Sequence, residues 1–482
     1  MNFRDDFPIF KNNPWLVFLD STASSQKPSY VIDGIKHFLE NDYSNIHRGA
    51  YVLAERSEAT YEKSKKKVCE MIGGNNWREV IYTFNSNYAL NLLSLSLKRT
   101  GWLKKWDKVL VSIVEHHANI VPWLILKEEI GIEIDYINVT ADFDLDLEDF
   151  QKKLTPDVKV VSITHVSNVT GKIFPVEKVG EMIRKFSPSP VPLARGEEKQ
   201  EERRWEKNVR IEDDSETSSE WQLMVSEWES IDLVWVSLTT NGEKTQEGVG
   251  SWIIYIIDAS QSVPHMKVDA GKIGCDFLFF TGHKIFADSG IGVLWGRKEL
   301  LEVMKPGISG GGAISRVEKD TFYNAGLPDK FEAGTPNVTG AASLLYAFEY
   351  VEKIWGYAVL ERIEQELKEY ALQNFLQRGT TIKKLWEVYK KGDIVMYGSL
   401  DNLNRVGVFS FEVHGIHSND ISEFLAEKNI CIRSGQHCAE PFLSSFETAH
   451  TCRMSLHIYN TKEDIDRFFE VLDEAIWEFK KL

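Results

Sequence analysis

Short apolar runs rich in β-branched and aromatic residues recur along this chain: Val109–Val114, Val158–Thr164, Ile253–Ile257, Phe277–Thr281 and Ile291–Trp295. Continuous runs of that length, without polar alternation, suit strands buried on both faces. Between two of them Pro175 opens a segment with Val176, Val179, Ile183 and Phe186 at helical spacing, and proline fits the first turn of a helix. Strands alternating with helices predict an α/β fold, a mostly parallel sheet covered by helices, with ligands at the carboxyl ends of the strands.

A chain of 482 residues is too long for one small core, so a large domain with a smaller companion is expected. The final segment carries Thr461 three residues before Asp464, a capping pattern. Ile465, Phe468, Phe469, Leu472, Ile476 and Phe479 then share one helical face, so a packing helix is expected in a C-terminal lobe starting near Leu300. The stretch 187–250 breaks the pattern: it opens SPSPVP, runs through a charge-dense segment and ends in NGEKTQEGVG. Its composition reads as a solvated insertion; the apolar run Ile231–Leu238 inside it leaves a docking surface as the second reading.

Lysine and arginine total 56 against 72 acidic residues, a net charge of −16, which argues against nucleic acid or anionic lipid as a partner. No run of about eighteen or more apolar residues predicts a membrane span. The first residues, MNFRDDFPIF, do not read as a secretory signal, and a cytoplasmic location is expected. Five cysteines, Cys69, Cys275, Cys431, Cys438 and Cys452, lack paired metal-site spacing, so neither a disulfide framework nor a metal site is expected.

Three motifs end predicted strands: THVSN at Thr164–Asn168, DASQ at Asp258–Gln261 and TGHK at Thr281–Lys284. An acid at Asp258 and a lysine at Lys284 on neighbouring strands are what pyridoxal phosphate requires. The lysine forms the Schiff base, and the carboxylate keeps the pyridine nitrogen protonated so that the ring accepts electrons.

With FLDSTASSQKP at Phe18–Pro28, NIHRG at Asn45–Gly49, EHHANIVPW at Glu115–Trp123, FEAGTPN at Phe331–Asn337, RSGQHCAEP at Arg433–Pro441 and CRMSLHIYNT at Cys452–Thr461, the chain resembles the class V aminotransferase-fold cysteine desulfurases of the SufS-like second subgroup. The resemblance implies a fold-type I transferase: an N-terminal segment 1–25 packing on the small domain, a large domain 26–299 interrupted by the insertion, and a small α+β domain 300–482. It further implies Lys284 as the cofactor-bearing lysine, Asp258 against the pyridinium, Gln261 on the phenolic oxygen and His116 stacked on the ring, with His117 structural. Thr281 and His283 would hold the phosphate, joined by Thr335 from the second subunit of a homodimer. Arg453, assisted by Asn168, would bind the substrate carboxylate, and His47 would line the entrance. Arg433 is read two ways, as facing the site or as a structural ion pair. Cys438 resembles the nucleophile that takes sulfur from L-cysteine as a persulfide, its thiolate favoured by Arg433 and His437. Of the other thiols, Cys452 beside Arg453 has a redox role as its second reading, while Cys69, Cys275 and Cys431 read as packing residues. The short HCAEP loop implies transfer to a SufE- or SufU-type acceptor protein and iron–sulfur assembly.

Three departures stand out. TFNSNYALN at Thr83–Asn91 has Ser86 and Asn87 where the family has a threonine pair on phosphate, which predicts weaker cofactor binding without loss of the site. Gln436 stands where a histidine is common. Trp15, Trp106 and Trp355 fall where a turn or the family pattern favours glycine, so some of the 14 tryptophans are expected to be glycines decoded from a reassigned stop codon. Two rivals remain open: another reaction on the same fold, such as selenocysteine lyase, and a non-catalytic binding paralogue. Cys438 speaks against most of the first class, and the joint presence of Lys284, Asp258 and Cys438 against the second.

Overall fold

The computed structural model describes residues 3–47, 49–187, 252–384, 387–402 and 404–481, with the backbone alone at 235–238 and 244–247. A seven-stranded sheet organises the first part. Its strands are β1 (Val80–Thr83), β2 (Lys108–Ser112), β3 (Glu133–Ile137), β4 (Val158–Thr164), β5 (Ile254–Asp258), β6 (Phe277–Thr281) and β7 (Gly292–Gly296). The spatial order is β1-β7-β6-β5-β4-β2-β3, and only β7 runs against its neighbours.

Two separate cores explain the unbroken apolar runs. Along β5, Ile254 and Ile256 enter one core while Tyr255 and Ile257 enter the other; along β6, Phe277 and Phe279 oppose Leu278 and Phe280. Each side chain buried this way contributes roughly 1.5–3 kcal/mol. The helix Val176–Phe186 follows Pro175 as expected and buries Val176, Val179 and Ile183.

A second sheet has β8 (Thr381–Ile382), β9 (Ile394–Tyr397), β10 (Val408–Val413), β11 (Arg433–Gly435) and β12 (Thr451–Ser455), in the order β8-β9-β10-β12-β11. The last helix, Lys462–Lys481, meets it through Phe468, edge-on to Phe411 of β10, while Phe469 stands edge-on to Phe375 of helix Tyr357–Gln377. Thr461 and Asp464 exchange the two hydrogen bonds of a capping box, at 3.2 and 3.3 Å. The long helix Val338–Lys353 lies instead against helices Ser29–Asn41 and Val52–Met71.

The amino-terminal segment crosses between the two sheets. Val17 and Phe18 pair in parallel with Ile430 and Cys431, Asp20 bridges to Ser455, and Arg4 reaches Asp464 at 2.8 Å. Within the insertion, backbone strands Trp235–Leu238 and Lys244–Glu247 form an antiparallel pair; the rest of 188–251 lies outside the described residues. Among the described residues no helix is long and apolar enough to cross a membrane.

Of the three tryptophans expected at glycine positions, Trp106 and Trp355 have φ of 75° and 67°. Trp15 is an exposed turn residue without positive φ, so the left-handed backbone that favours glycine is absent at this position.

Candidate active site

Strands β4, β5 and β6 end at Thr164, Asp258 and Thr281, so the three loops carrying Asn168, Gln261 and Lys284 leave the sheet at one edge. A cavity of about 260 Å³ opens there, lined by Ser86, Asn87, His116, Asn168, Gln261, Thr281, His283, Lys284, Arg433, Cys438 and Arg453 among others. Asp258 lines a small adjoining recess with Lys284, Ser260 and His116. Cys438 and Lys284 thus share one space although 154 positions (438 − 284) separate them. His47 and Thr335 are not in the wall. Both are exposed; His47, at φ 76°, faces Glu58 at 3.7 Å.

The floor is a buried polar network. The Glu115 carboxylate accepts from Thr164 N at 2.9 Å and Asn119 Nδ2 at 2.7 Å, and pairs with Ser112 Oγ. Burial pushes the Glu115 carboxyl up to about 8. His116 caps the turn His117–Asn119 by accepting from Ala118 N on Nδ1 at 3.0 Å, which leaves Nε2 as the protonated nitrogen of the neutral ring. Burial, with Lys284, His117 and Arg453 nearby, pushes that imidazole down to about 3, so it is neutral at any ordinary pH.

Lys284 sits in a tight turn after β6. Burial pushes its amine down to about 8, against the pull of Asp258. Asp258 is itself raised by burial, although Ser260 N donates to Oδ1 at 2.8 Å. At the far end, helix Ser86–Thr100 begins on the cavity wall, capped by Asn85, which accepts from Tyr88 N at 2.9 Å. A Cβ on Gly292 would stand 2.5 Å from the Asn85 carbonyl carbon, so the absence of a side chain there lets this helix end approach the sheet. Free N–H groups at such a helix start suit an anion.

Arg453, on β12, is almost fully buried and donates to Asn168 O at 3.1 Å. The Asp20 carboxylate reaches it at 3.5 Å and also clasps Arg433 through Nε and Nη2, at 3.3 and 3.0 Å. Arg433 therefore both lines the cavity and forms an ion pair. Asp20 is a residue that sequence reasoning passed over, since its partners lie more than four hundred positions away.

Cys438 is exposed on a loop in which His437 and Cys438 have φ of 53° and 54°, two successive non-glycine residues in the left-handed region. Such backbone costs roughly 1–2 kcal/mol per residue and persists where surroundings impose it. Here His117 N donates to Cys438 O at 2.8 Å, Asn168 Nδ2 to His437 O at 2.8 Å, and the His437 ring meets Thr451 Oγ1 at 2.9 Å. Burial, with Arg453 and Arg433, holds the His437 imidazole well below its ordinary value. The ring is neutral, so the expectation that His437 lends positive charge to the thiol is corrected; Arg433 and Arg453 line the same cavity as Cys438.

The residues suit pyridoxal phosphate on a separate ground. Thr281 Oγ1, Ser260 Oγ, Gln261 Oε1, Thr22 Oγ1 and Arg453 Nε are buried polar atoms without a protein partner, gathered around Lys284 and Asp258. Buried polar atoms of this kind call for a polar ligand. Gln261 commits one hydrogen of Nε2 to Thr22 O at 2.9 Å, so the bond expected to a phenolic oxygen would have to use the second hydrogen on that nitrogen.

The profile of the aminotransferase class-V family matches residues 17–188 and 248–468, breaking at the insertion. A probable cysteine desulfurase of Synechocystis is 32% identical over 476 residues, covering 98% of this chain and 94% of that protein. One of Pyrococcus abyssi is 31% identical, covering 98% and 96%. Among solved structures, the apo cysteine desulfurase of Thermococcus onnurineus superposes with a TM-score of 0.78 at 28% identity, covering 98% of this chain and 97% of that one. The Escherichia coli cysteine desulfurase CsdA gives a TM-score of 0.75 at 25% identity, covering 99% and 98%. By profile, sequence and fold together, the chain belongs to the class-V aminotransferase family.

Proposed function

We propose that this chain is a pyridoxal-phosphate-dependent cysteine desulfurase that converts L-cysteine to L-alanine and keeps the sulfur as a persulfide on Cys438. The observation that carries the reading is the single cavity shared by Lys284, Arg453 and an exposed cysteine, with Asp258 in its adjoining recess.

When bound, pyridoxal phosphate supplies an electron sink beside the α-carbon of the substrate. Asp258, buried beneath the site, offers the counter-charge to a protonated ring nitrogen. His116, neutral, would offer its aromatic face to the ring. The cofactor phosphate would be held by the helix start at Ser86 and Asn87, by Thr281 and by His283. Arg453 grips the substrate carboxylate, with Asn168 fixing the guanidinium from its carbonyl side. Lys284, with an amine near 8, moves the α-proton close to neutral pH. The Cys438 thiolate then attacks the substrate sulfur; the Cβ–S bond breaks, the S–S bond forms, and the electron pair left on Cβ takes up a proton to give alanine.

The finer reading is of a SufS-like homodimer in the cytoplasm that passes sulfur to a SufE- or SufU-type protein for iron–sulfur assembly. Exposed apolar side chains at Phe84 and Tyr88, and at Val121, Leu124 and Ile125, flank the phosphate end and suit a subunit interface where Thr335 and His47 of one copy reach the other. The packing of helix Val338–Lys353 against helices Ser29–Asn41 and Val52–Met71 supports counting that helix with the large unit.

The test is direct. The purified protein should turn yellow with pyridoxal phosphate and release alanine from cysteine, with sulfide appearing once a reductant is added. Cys438→Ala should keep the colour and lose turnover, and Lys284→Ala should lose the colour. A wild type that binds no cofactor would remove the proposal in favour of a binding paralogue.

A further inference from the structure

The turn that carries Lys284 does not hold itself. It is a three-residue helical turn, Gly282–Lys284, followed by Phe286 at φ 63°. Its internal bonds run only from Ile285 N and Ala287 N to Gly282 O, at 3.0 and 3.1 Å, and from Ala287 N to Ile285 O. What fixes it comes from the other end of the chain. Four donors converge on the carbonyl oxygen of His283, the residue before the lysine: Ser25 N at 3.1 Å, Ser25 Oγ at 3.2 Å, Lys27 Nζ at 3.2 Å and Ser24 Oγ at 3.3 Å. On the other side, Ser25 Oγ accepts from Phe286 N at 2.8 Å. The Lys27 ammonium closes the loop by donating to Ser25 O at 2.6 Å. The peptide unit before Lys284 is thus pinned through His283 O by Ser24, Ser25 and Lys27, and the second unit after it through Phe286 N by the Ser25 hydroxyl alone.

We propose that Ser25 and Lys27 are positioning residues for Lys284: they hold the backbone of its turn so that the amine enters the cavity in a fixed, desolvated position. The inference rests on the function proposed above for Lys284 and adds two residues to its machinery. A bond from a charged donor to a carbonyl is stronger than a neutral one, which suits Lys27 to a pin that must resist strain at Phe286. Loss of Ser25 Oγ removes a donor from His283 O and the acceptor of Phe286 N in one stroke, and a buried N–H without a partner drives the turn to rearrange. Once the turn loosens, the Lys284 amine gains water and its proton affinity returns toward that of an ordinary lysine.

Two readouts test this on the full-length chain, with Ser25→Ala and Lys27→Met as losses and Ser25→Thr and Lys27→Arg as conservative partners. The first is the pH profile of acylation at Lys284, read residue by residue by mass spectrometry on the cofactor-free chain between about pH 6 and 10. In the loss variants the midpoint should rise, with labelling at neutral pH falling about threefold or more, while the conservative variants stay with wild type. The second is the rate at which yellow colour forms with pyridoxal phosphate, expected to fall about tenfold in the loss variants. Wild-type profiles and rates in both loss variants would overturn the proposal. Should a loss variant not fold, the conservative pair decides: Lys27→Arg and Ser25→Thr must then match wild type in both readouts, and a shift in both would count against the assigned bonds. A wild type that fails to colour would instead remove the functional reading, while the labelling profile still judges the clamp.

Discussion

The Asp20 Oδ1 atom stands 3.5 Å from Arg453 Nη2, so the guanidinium assigned to the substrate carboxylate already faces one carboxylate. Burial pushes Arg453 down to about 10, and Asp20 works against that shift. The same acid holds Arg433 and so ties two cations at the cavity into one arrangement. Asp20→Asn keeps the shape and removes the charge. The KM for cysteine should rise about tenfold with kcat changed less than about threefold, since the lost contact serves binding in ground and transition states alike. Steady-state kinetics read both, and an unchanged KM would show Asp20 to be a structural partner only.

Lys284 gives a pH dependence with a definite sign. Its amine, held near 8 by burial against the attraction of Asp258, is mostly protonated below that pH and neutral above it. Only the neutral amine is a nucleophile. The rate of colour formation on adding pyridoxal phosphate to the cofactor-free chain should therefore climb about tenfold per pH unit below about 8 and level off above. In Asp258→Asn the lysine loses the charge that raises it, and the plateau should begin at lower pH. A rate still climbing near the ordinary lysine value of 10.5 would contradict the burial seen at this residue.

Much of this was legible in the sequence, and the reasons are physical. β5 and β6 announced themselves because both faces of each strand are buried, which forbids polar residues within the run. Lys284 and Asp258 were legible because they end such runs. β3 was not, because it lies at the sheet edge with Glu133 exposed and Asp135 half-buried, so its pattern is broken. Asp20, Ser25 and Lys27 carry no local signal: their meaning lies in His283, Arg433 and Arg453, which only the fold brings near. The charge state of His437 was hidden for a similar reason, since burial and not neighbouring sequence sets it.

Glu115 should leave a mark on stability. Burial raises its carboxyl to about 8 in the folded chain, so the native state holds a proton that the unfolded chain releases near its ordinary value of 4.5. Between those two values the folded state binds more protons, and stability contributed by this group is lost as pH rises through about 8. Wild type should therefore lose melting temperature from about pH 5 to pH 8 relative to Glu115→Gln, which can keep the bonds from Thr164 N and Ser112 Oγ, gives up the one from Asn119 Nδ2, and does not ionise, so that the pH trend and not the absolute melting temperature is compared. Parallel melting profiles for the two would show that Glu115 is already ionised in the fold.

Trp355 gives the sharpest case for the tryptophans. Helix Val338–Lys353 ends with Ile354 as its cap; Gly356 N then donates to Val351 O at 2.8 Å and Trp355 N to Glu352 O at 2.9 Å. That pair of bonds is a Schellman ending, whose left-handed position is normally glycine, and here Trp355 occupies it at φ 67° with its indole 66% exposed. Trp106, at φ 75° and 64% exposed, repeats the situation in the turn before β2. Neither ring buries enough surface to offset left-handed backbone that costs a side chain roughly 1–2 kcal/mol. Trp355→Gly and Trp106→Gly should each stabilise the chain by about 1 kcal/mol, a rise of about one to two degrees in melting temperature for a chain of this length, while Trp123→Gly, which empties a fully buried site, should destabilise it strongly. If the glycines are native, the gene will carry the reassigned stop codon at 106 and 355. Ordinary tryptophan codons there, or a fall in melting temperature on substitution, would make both rings genuine and leave their conformation to be explained by what they contact.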